Sequence, residues 1–327
     1  MNNNILVTGG AGYIGSHVCK HLALNGFNPI AFDNLSRGNR WSIKWGPIEV
    51  GDLLDPNRLK EVLEKYKPVA VMHFAAFAYV GESVDNPYLY YYNNVCGTLN
   101  LLNAMKDADI TNIVFSSTCS TYGIPDRVPI QEIDPQNPIN PYGASKLMIE
   151  RILKDYNIAY HLNSISLRYF NAAGADPDGE IGEVHDPEPH LIPRLLDVAI
   201  GRRKNVEVYG DGHDTPDGFC IRDYIHVEDL ATAHILALKY LLNNGVGVKN
   251  YNLGTGKGHS VLDVIKTVEK VARKKIDYKV VKKRDGDPPE LVAGVSGALE
   301  TLKWKPSKPA LFEQVTSAWR WHNKYFR

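Results

Sequence analysis

The stretch that most constrains this chain lies at its beginning. The apolar run Ile5–Thr8 passes directly into Gly9-Gly10-Ala11-Gly12-Tyr13-Ile14-Gly15, after which Ile14, Val18 and Leu22 recur at four-residue spacing. This is the order strand, glycine turn, helix. The glycines satisfy both GxGxxG (Gly10, Gly12, Gly15) and TGxxGxxG (Thr8, Gly9, Gly12, Gly15). They permit a tight turn and let backbone N–H groups approach a pyrophosphate at a helix N-terminus, where the helix dipole favours an anion. A bare GxGxxG is weak evidence. Here the next apolar run ends in Asp33, close to the ~20 residues on at which a ribose-binding acid is expected. Asp33 would accept from both ribose hydroxyls and repel a 2′-phosphate, which favours NAD over NADP. Arg37 is a mild counter-signal, since a loop arginine can hold that phosphate.

Further apolar, β-branched runs follow at Pro29–Asp33, Ile48–Asp52, Val69–Phe74, Ile113–Ser117 and Ile165–Phe170, with helical patterns between them. Near-continuous apolar strands are buried on both faces, as parallel strands are. Asp55-Pro56 opens a helix with Asp as cap and Pro at its first position. The expected fold is α/β, a doubly wound parallel (Rossmann) sheet with a smaller α/β domain after it. After Asn171 the texture changes to a loop rich in acids, Gly and Pro from Gly174 to His190. This places a dinucleotide-binding domain at 1–171 and a second domain at 172–327. The second is discontinuous if 250–254 returns to the first sheet. Leu311, Phe312, Val315 and Trp319 mark a last amphipathic helix.

Charge narrows the function. The 327 residues carry 37 Lys plus Arg against 37 Asp plus Glu, which argues against a nucleic-acid partner. Val69–Val80 is too short to span a bilayer and contains His73, so no membrane segment is expected. MNNNILVTGG has no basic n-region, which implies a cytoplasmic protein. Cys19, Cys96, Cys119 and Cys220 form no CxxC pair and read as small apolar residues. No metal is expected. The loop acids Asp176, Asp178, Glu180, Glu183, Asp186 and Glu188, with His185 and His190, lack EF-hand spacing and read as a solvated loop beside a ligand. The nine basic residues between Lys266 and Arg284 read as an exposed face, Arg284 excepted.

Tyr142-Gly-Ala-Ser-Lys146 places a phenol and an ammonium on one helix face at i and i+4. The ammonium would favour the phenolate and lower the tyrosine pKa from ~10, making Tyr142 a general base. Context gives the pair its weight, for a second YxxxK, Tyr278/Lys282, lies in a basic run on a surface strand. Ser116-Ser117-Thr118-Cys119-Ser120-Thr121-Tyr122 supplies hydroxyls at the C-terminal edge of the sheet, where ligands of open α/β folds bind.

Together these segments resemble the extended short-chain dehydrogenase/reductase family, and within it the UDP-sugar 4-epimerases. The resemblance runs from Asn4 to about Trp321 through VTGGAGYIGSH, VGESVDNP, YYNNVCGTLNLL, FSSTCSTYG, NPYGASK, LRYFNAAGA, RDYIHVEDLA and YNLGTG. It implies reversible 4-epimerisation of UDP-glucose and UDP-galactose through a 4-keto sugar on tightly bound NAD. Tyr142 would act as base, Lys146 would tune it and hold the nicotinamide ribose, and Thr118 would bridge substrate and tyrosine. Gly9, Gly12, Tyr13, Ile14, Gly15, Asp33, Asn34, Asp52, Leu53, Phe74, Ala75, Asn93, Lys146 and Tyr169 would line the cofactor. Asn171, Leu191, Tyr209, Arg222, Arg284 and Asp287 would hold the UDP moiety, the arginines suiting a diphosphate through paired hydrogen bonds.

Three positions depart from the family pattern. Ala78 stands where Lys is frequent. Pro189-His190-Leu191 replaces Asn-Asn-Leu, so His190 would take over an amide contact with the substrate. Leu291 is intermediate in size at a position that governs N-acetylated sugars, which keeps UDP-N-acetylglucosamine open, as the FAAFAYVGES variant keeps UDP-xylose/UDP-arabinose. A dehydratase would need an Asp-Glu pair where Cys119 and Ser120 stand, and a NADPH reductase is disfavoured by Asp33. A non-catalytic dinucleotide-binding regulator could dispense with Tyr142 or Lys146, and both are present. The resemblance also implies a homodimer built on Pro87–Met105 and Tyr142–Tyr156.

Overall fold

Each early apolar run forms a strand, and its neighbours explain its composition. The computed structural model describes residues 2–245, 247–283 and 287–326. In it β1 (Asn4–Thr8), β2 (Asn28–Asp33), β3 (Ile48–Val50), β4 (Ala70–His73), β5 (Asn112–Thr118) and β6 (Asn163–Tyr169) pair in parallel. After β7 (Asn171–Ala173), β8 (Val206–Tyr209) and β9 (Ile221–His226), the strand β10 (Val248–Leu253) comes back parallel to β6. The sheet has seven strands in the order β10-β6-β5-β4-β1-β2-β3. The order reverses between β1 and β4, so a crevice opens at the carboxyl ends of those strands.

Successive strand side chains point to opposite faces. Ile5, Val7, Met72, Val114, Ile165 and Leu167 pack on one side with Val18 and Leu22 of the helix Tyr13–Leu24 and with the helix Val227–Asn244. Leu6, Ile30, Phe32, Val71, Ile113 and Phe115 pack on the other, under Leu59, Leu101, Ile149 and Leu153. Both faces are covered, which is why the runs are apolar without alternation. The helix ends follow local chemistry. Asp55 accepts from the N–H groups of Asn57 and Arg58, and Asn140 accepts from Gly143 N at 2.8 Å ahead of Pro141.

β11 (Gly258–Ser260), β12 (Tyr278–Val281) and β13 (Glu290–Leu291) complete the strands among the described residues. β9 lies at the centre of a mixed sheet, parallel to β7 and β13 and antiparallel to β11, while β8 pairs with β12. A second core fills this region, with Ile192, Leu195, Val208, Tyr224, Val264, Leu311 and Val315. In the last helix, Leu311–Tyr325, Phe312 is not on the core face: it is 49% exposed, with Lys270 Nζ 5.2 Å from its ring centre. Trp321 takes the buried place, because a step of 100° per residue puts it, not Phe312, in line with Ala318 and Gln314. The strand β10 is not alone in returning to the first sheet. The helix Val227–Asn244, with Ala298, Leu302 and Trp304, belongs to the core of that sheet.

Candidate active site

The glycine turn is held by backbone packing. Gly9 has φ +71°, and a Cβ there would stand 2.6 Å from Ala75 N, so the turn lies hard against the chain leaving β4. A Cβ on Gly15 would stand 2.2 Å from Gly9 O. Gly12 is the N-cap of the helix Tyr13–Leu24 and no side chain caps it. Asp33, at the end of β2, accepts from Ala11 N at 3.0 Å and Leu35 N at 2.8 Å. Burial raises its pKa and these two bonds oppose the rise. Arg37 is committed elsewhere: its Nη2 lies 2.6 Å from Glu82 Oε1, and its guanidinium stacks on Tyr79 and Phe77. The one sign of a 2′-phosphate site is thereby used up.

Asn34 donates to Asp52 Oδ2 at 2.8 Å, and buried Leu53 follows on the same loop. Ile14 packs, partly buried, against the first core. Phe74 lies 4.8 Å from the His234 ring, and Tyr169 Oη is 2.6 Å from His234 Nε2. Tyr13 donates to Gly174 O at 2.6 Å, tying the turn to the loop after β7. The hydroxyls of Tyr13 and Tyr169 are thus engaged within the protein. Asn93 donates only to its neighbour Asn94, which sequence reasoning passed over. Buried Asn94 accepts from Phe77 N at 2.9 Å and donates to Phe77 O at 3.0 Å and Ser145 Oγ at 3.1 Å. It pins the loop after β4 to the helix that carries Tyr142.

Thr118 ends β5, and Asn140 and Pro141 start the helix Pro141–Tyr160 so that Tyr142 meets it. The Tyr142 phenol comes near enough to the Thr118 side chain for Thr118 to pull its pKa down. Lys146 is buried one turn on and donates to Ser116 O at 2.8 Å. Burial pushes the Tyr142 phenol up to about 12, with Thr118 opposing. Burial also pulls the Lys146 amine down to about 7, with Glu150 opposing. This corrects the expectation that Lys146 lowers the tyrosine pKa. Lys146 is not among the groups that shift the phenol, because its amine points at the Ser116 carbonyl and burial disfavours its charged form.

Glu150, one turn beyond Lys146, was also not foreseen. It accepts from Ser117 Oγ at 2.5 Å, Arg168 Nε at 3.0 Å and Arg168 Nη2 at 2.6 Å. Arg168 Nη1 donates in turn to Tyr122 Oη, which donates to Asn252. This buried network locks the helix of Tyr142 to β5, β6 and β10.

On the other side of the crevice Arg222 and Asp287 form an ion pair, and Arg222 Nη1 also donates to Ile221 O at 2.8 Å. Arg284 lies outside the described residues. Asn171 opens β7 opposite Tyr224, and Tyr209 ends β8 opposite Val281. Leu191 starts the helix Leu191–Ile200. Leu291 pairs with Arg222 in register and packs with Cys119, Tyr122, Ile130 and Phe170. His190 departs from expectation. Its Nδ1 lies 2.7 Å from Glu183 Oε1 and 3.2 Å from Glu188 Oε1. Desolvation of that ring edge would lower its pKa, but Glu183 and Glu188 raise it to about 10. Acids of its own loop, then, hold the ring nitrogen expected to replace an amide contact.

The glycine turn, the acid ending β2 and the Thr118–Tyr142–Lys146 group converge on one edge of a doubly wound sheet. They define a dinucleotide-dependent enzyme of short-chain dehydrogenase type. Residues 5–254 match the NAD dependent epimerase/dehydratase family, and the chain belongs to it. The UDP-glucose 4-epimerase of Rhizobium meliloti (strain 1021) is 52% identical over 323 residues, covering 99% of this chain and 98% of that protein. The crystal structure of UDP-glucose 4-epimerase from Brucella ovis in complex with NAD superposes with a TM-score of 0.94 at 50% identity, covering 98% of each chain. That of UDP-glucose 4-epimerase from Bifidobacterium longum in complex with NAD+ and UDP gives 0.95 at 39% identity, again over 98% of each.

Proposed function

We propose that this chain interconverts UDP-glucose and UDP-galactose with a resident NAD. The observation that carries the reading is the meeting of the buried Tyr142 phenol with the Thr118 side chain, with Lys146 one turn on, at the edge that also holds the glycine turn and Asp33. Similarity over nearly the whole chain to UDP-glucose 4-epimerases supports the substrate. The residues fit the dinucleotide, because Gly9 and Gly15 bring backbone against backbone where no Cβ has room. Gly9, Gly12, Tyr13, Ile14, Gly15, Asp33, Asn34, Asp52, Leu53, Phe74, Ala75, Asn93, Lys146 and Tyr169 are the proposed lining. Bound NAD would accept a hydride from C4 of the sugar and return it to the other face, and its cationic oxidised ring would offset the burial that keeps Tyr142 protonated. Tyr142 takes the 4-hydroxyl proton, directly or across the Thr118 hydroxyl, and gives it back at the end. Lys146 orients ribose hydroxyls from its anchor on Ser116. Asn171, Leu191, Tyr209, Arg284 and the Arg222–Asp287 pair hold the nucleotide diphosphate. Leu291, closed against Cys119, leaves the hexose preferred over the N-acetylated sugar.

Dehydration is disfavoured chemically. The acid it requires would have to be Cys119, whose thiol burial pushes up to about 12. The test is to incubate purified protein with UDP-glucose without added NAD and to follow UDP-galactose by chromatography. Absence of the 4-epimer ends the reading.

The division into a dinucleotide-binding part, 1–171, and a sugar-nucleotide part, 172–327, belongs to the proposal, as does a homodimer. Exposed Tyr88, Tyr92 and Met148 on the two helical segments support the latter. Light scattering giving only 36.5 kDa would refute it. Four free thiols suit a reducing cytoplasm, and among the described residues no helix is long and apolar enough to cross a membrane.

A further inference from the structure

The loop between β7 and the helix Leu191–Ile200 folds so that Glu183, His185, Glu188 and His190 meet, each offering one donor atom within 4.8 Å of the others. The spacing along the chain suggested only a solvated acidic loop, but the folded distances describe something more defined. His190 Nδ1 lies 2.7 Å from Glu183 Oε1 and 3.2 Å from Glu188 Oε1. His185 Nδ1 lies 3.2 Å from Glu188 Oε2 and 3.5 Å from Glu183 Oε1. An ion bound tetrahedrally at ~2.0–2.1 Å has donor–donor edges of about 3.4 Å. Three of the four nitrogen–oxygen distances stand near that length, and with Glu188 using a different oxygen toward each ring a small carboxylate rotation would be needed to present one oxygen to a shared ion.

Charge distinguishes this cluster from the other acidic one. Asp176, Asp178 and Glu180 already hold a built-in cation, Lys20 Nζ, at 2.7, 2.7 and 2.8 Å. Glu183 and Glu188 have side chains only 9% and 10% exposed, and among the described residues their ion pairs are with histidines alone. Two sunken carboxylates without a Lys or Arg partner draw a positive charge between them, supplied in the metal-free loop by the His190 proton, which a divalent ion would displace. Both imidazoles turn the same nitrogen, Nδ1, toward that place. The rings are also braced from outside the loop. Tyr79 packs edge-on against His185 at 5.9 Å and His190 at 6.1 Å, and Asn39 donates to Val184 O at 3.1 Å. The His190 ring, 47% exposed, leaves a way in from solvent.

We propose that these four residues bind one divalent transition-metal ion of the zinc class through His185 Nδ1, His190 Nδ1 and the carboxylates of Glu183 and Glu188. Two imidazole donors in a four-donor set disfavour calcium and magnesium, which take six or more oxygens or retained waters. All four corners come from the protein, so the ion is structural. It clasps the loop between Tyr79 and Asn39 on one side and the helix that begins at Leu191 on the other.

The experiment reads metal uptake and is independent of turnover. Full-length, tag-free protein is stripped with a chelator and titrated with Zn²⁺ against a chromophoric competitor, and separately with Co²⁺. One ion per chain is expected, with the strong visible band of tetrahedral cobalt. His185→Gln and Glu188→Gln should each weaken zinc binding more than about tenfold, while Asp178→Asn in the neighbouring cluster should leave it unchanged. Two single variants guard against one that fails to fold, and circular dichroism identifies such a case. No uptake by the wild type, uptake by both variants undiminished from the wild type, or a weak octahedral cobalt spectrum would each overturn the proposal.

Discussion

Lys146 offers the most quantitative test, because its environment is set by burial. The side chain is 2% exposed, and burial brings its amine from an ordinary 10.5 down to about 7. Between those two values the unfolded chain binds a proton that the folded chain does not. Stability from this group therefore rises with pH across that window, by about 1.4 kcal/mol per pH unit at the steepest. From pH 7.5 to 9.5 the gain works out at roughly 2–3 kcal/mol. The Tyr142 phenol, raised from 10.0 to about 12, acts with the opposite sign only above pH 10 and stays out of this range. Lys146→Met keeps the volume and removes the titration. Urea unfolding of nucleotide-free wild type and variant at both pH values isolates the residue, since other groups cancel in the difference. The variant's advantage should shrink by roughly 2–3 kcal/mol on going to pH 9.5. A difference that does not change with pH would refute the buried, discharged lysine.

Three further outcomes follow from the geometry. Tyr142→Phe should lower epimerisation by ~10²–10⁴-fold while protein-bound NAD, read by absorbance, stays in place; retained turnover would remove Tyr142 from the chemistry. Gly9→Ala sets a Cβ 2.6 Å from Ala75 N at φ +71°, so NAD occupancy and the melting temperature should both fall. Unchanged values would mean that the turn does not need glycine there. Arg168→Met leaves Glu150 buried without its cation and should cost about 3–5 kcal/mol in urea unfolding. A loss under ~1 kcal/mol would show that the network is not what holds the helix of Tyr142.

What the sequence revealed is mostly what is local. The glycine turn, the Asp33 offset and the i, i+4 placing of Tyr142 and Lys146 lie within one or two elements, and the fold keeps each of them. Partners far along the chain were not legible. Nothing near Lys146 says that its amine will aim at Ser116 O, and Glu150 meets Arg168 only because a helix docks on β6. Asn94 was missed because it falls in a π-helical turn, Tyr91–Cys96, whose wider spacing changes which side chain faces inward. His190 was read as a replacement for an amide, since its acidic neighbours close on it only when the loop folds back. Phe312 failed for a simpler reason: its apolar character was weighed without the angular step from Leu311.

The way the chain weaves between its two cores limits how such an enzyme can be taken apart. A fragment ending near Asn171 would lack the seventh strand and the helix Val227–Asn244. It would leave β6 as an edge strand, unpaired on one side, and uncover the part of one sheet face that this helix covers. The part of the chain after Asn171 is therefore not an exchangeable cassette. Chimeras joined at that point would inherit the cut, and new sugar specificities have to be grafted as loops onto an undivided chain.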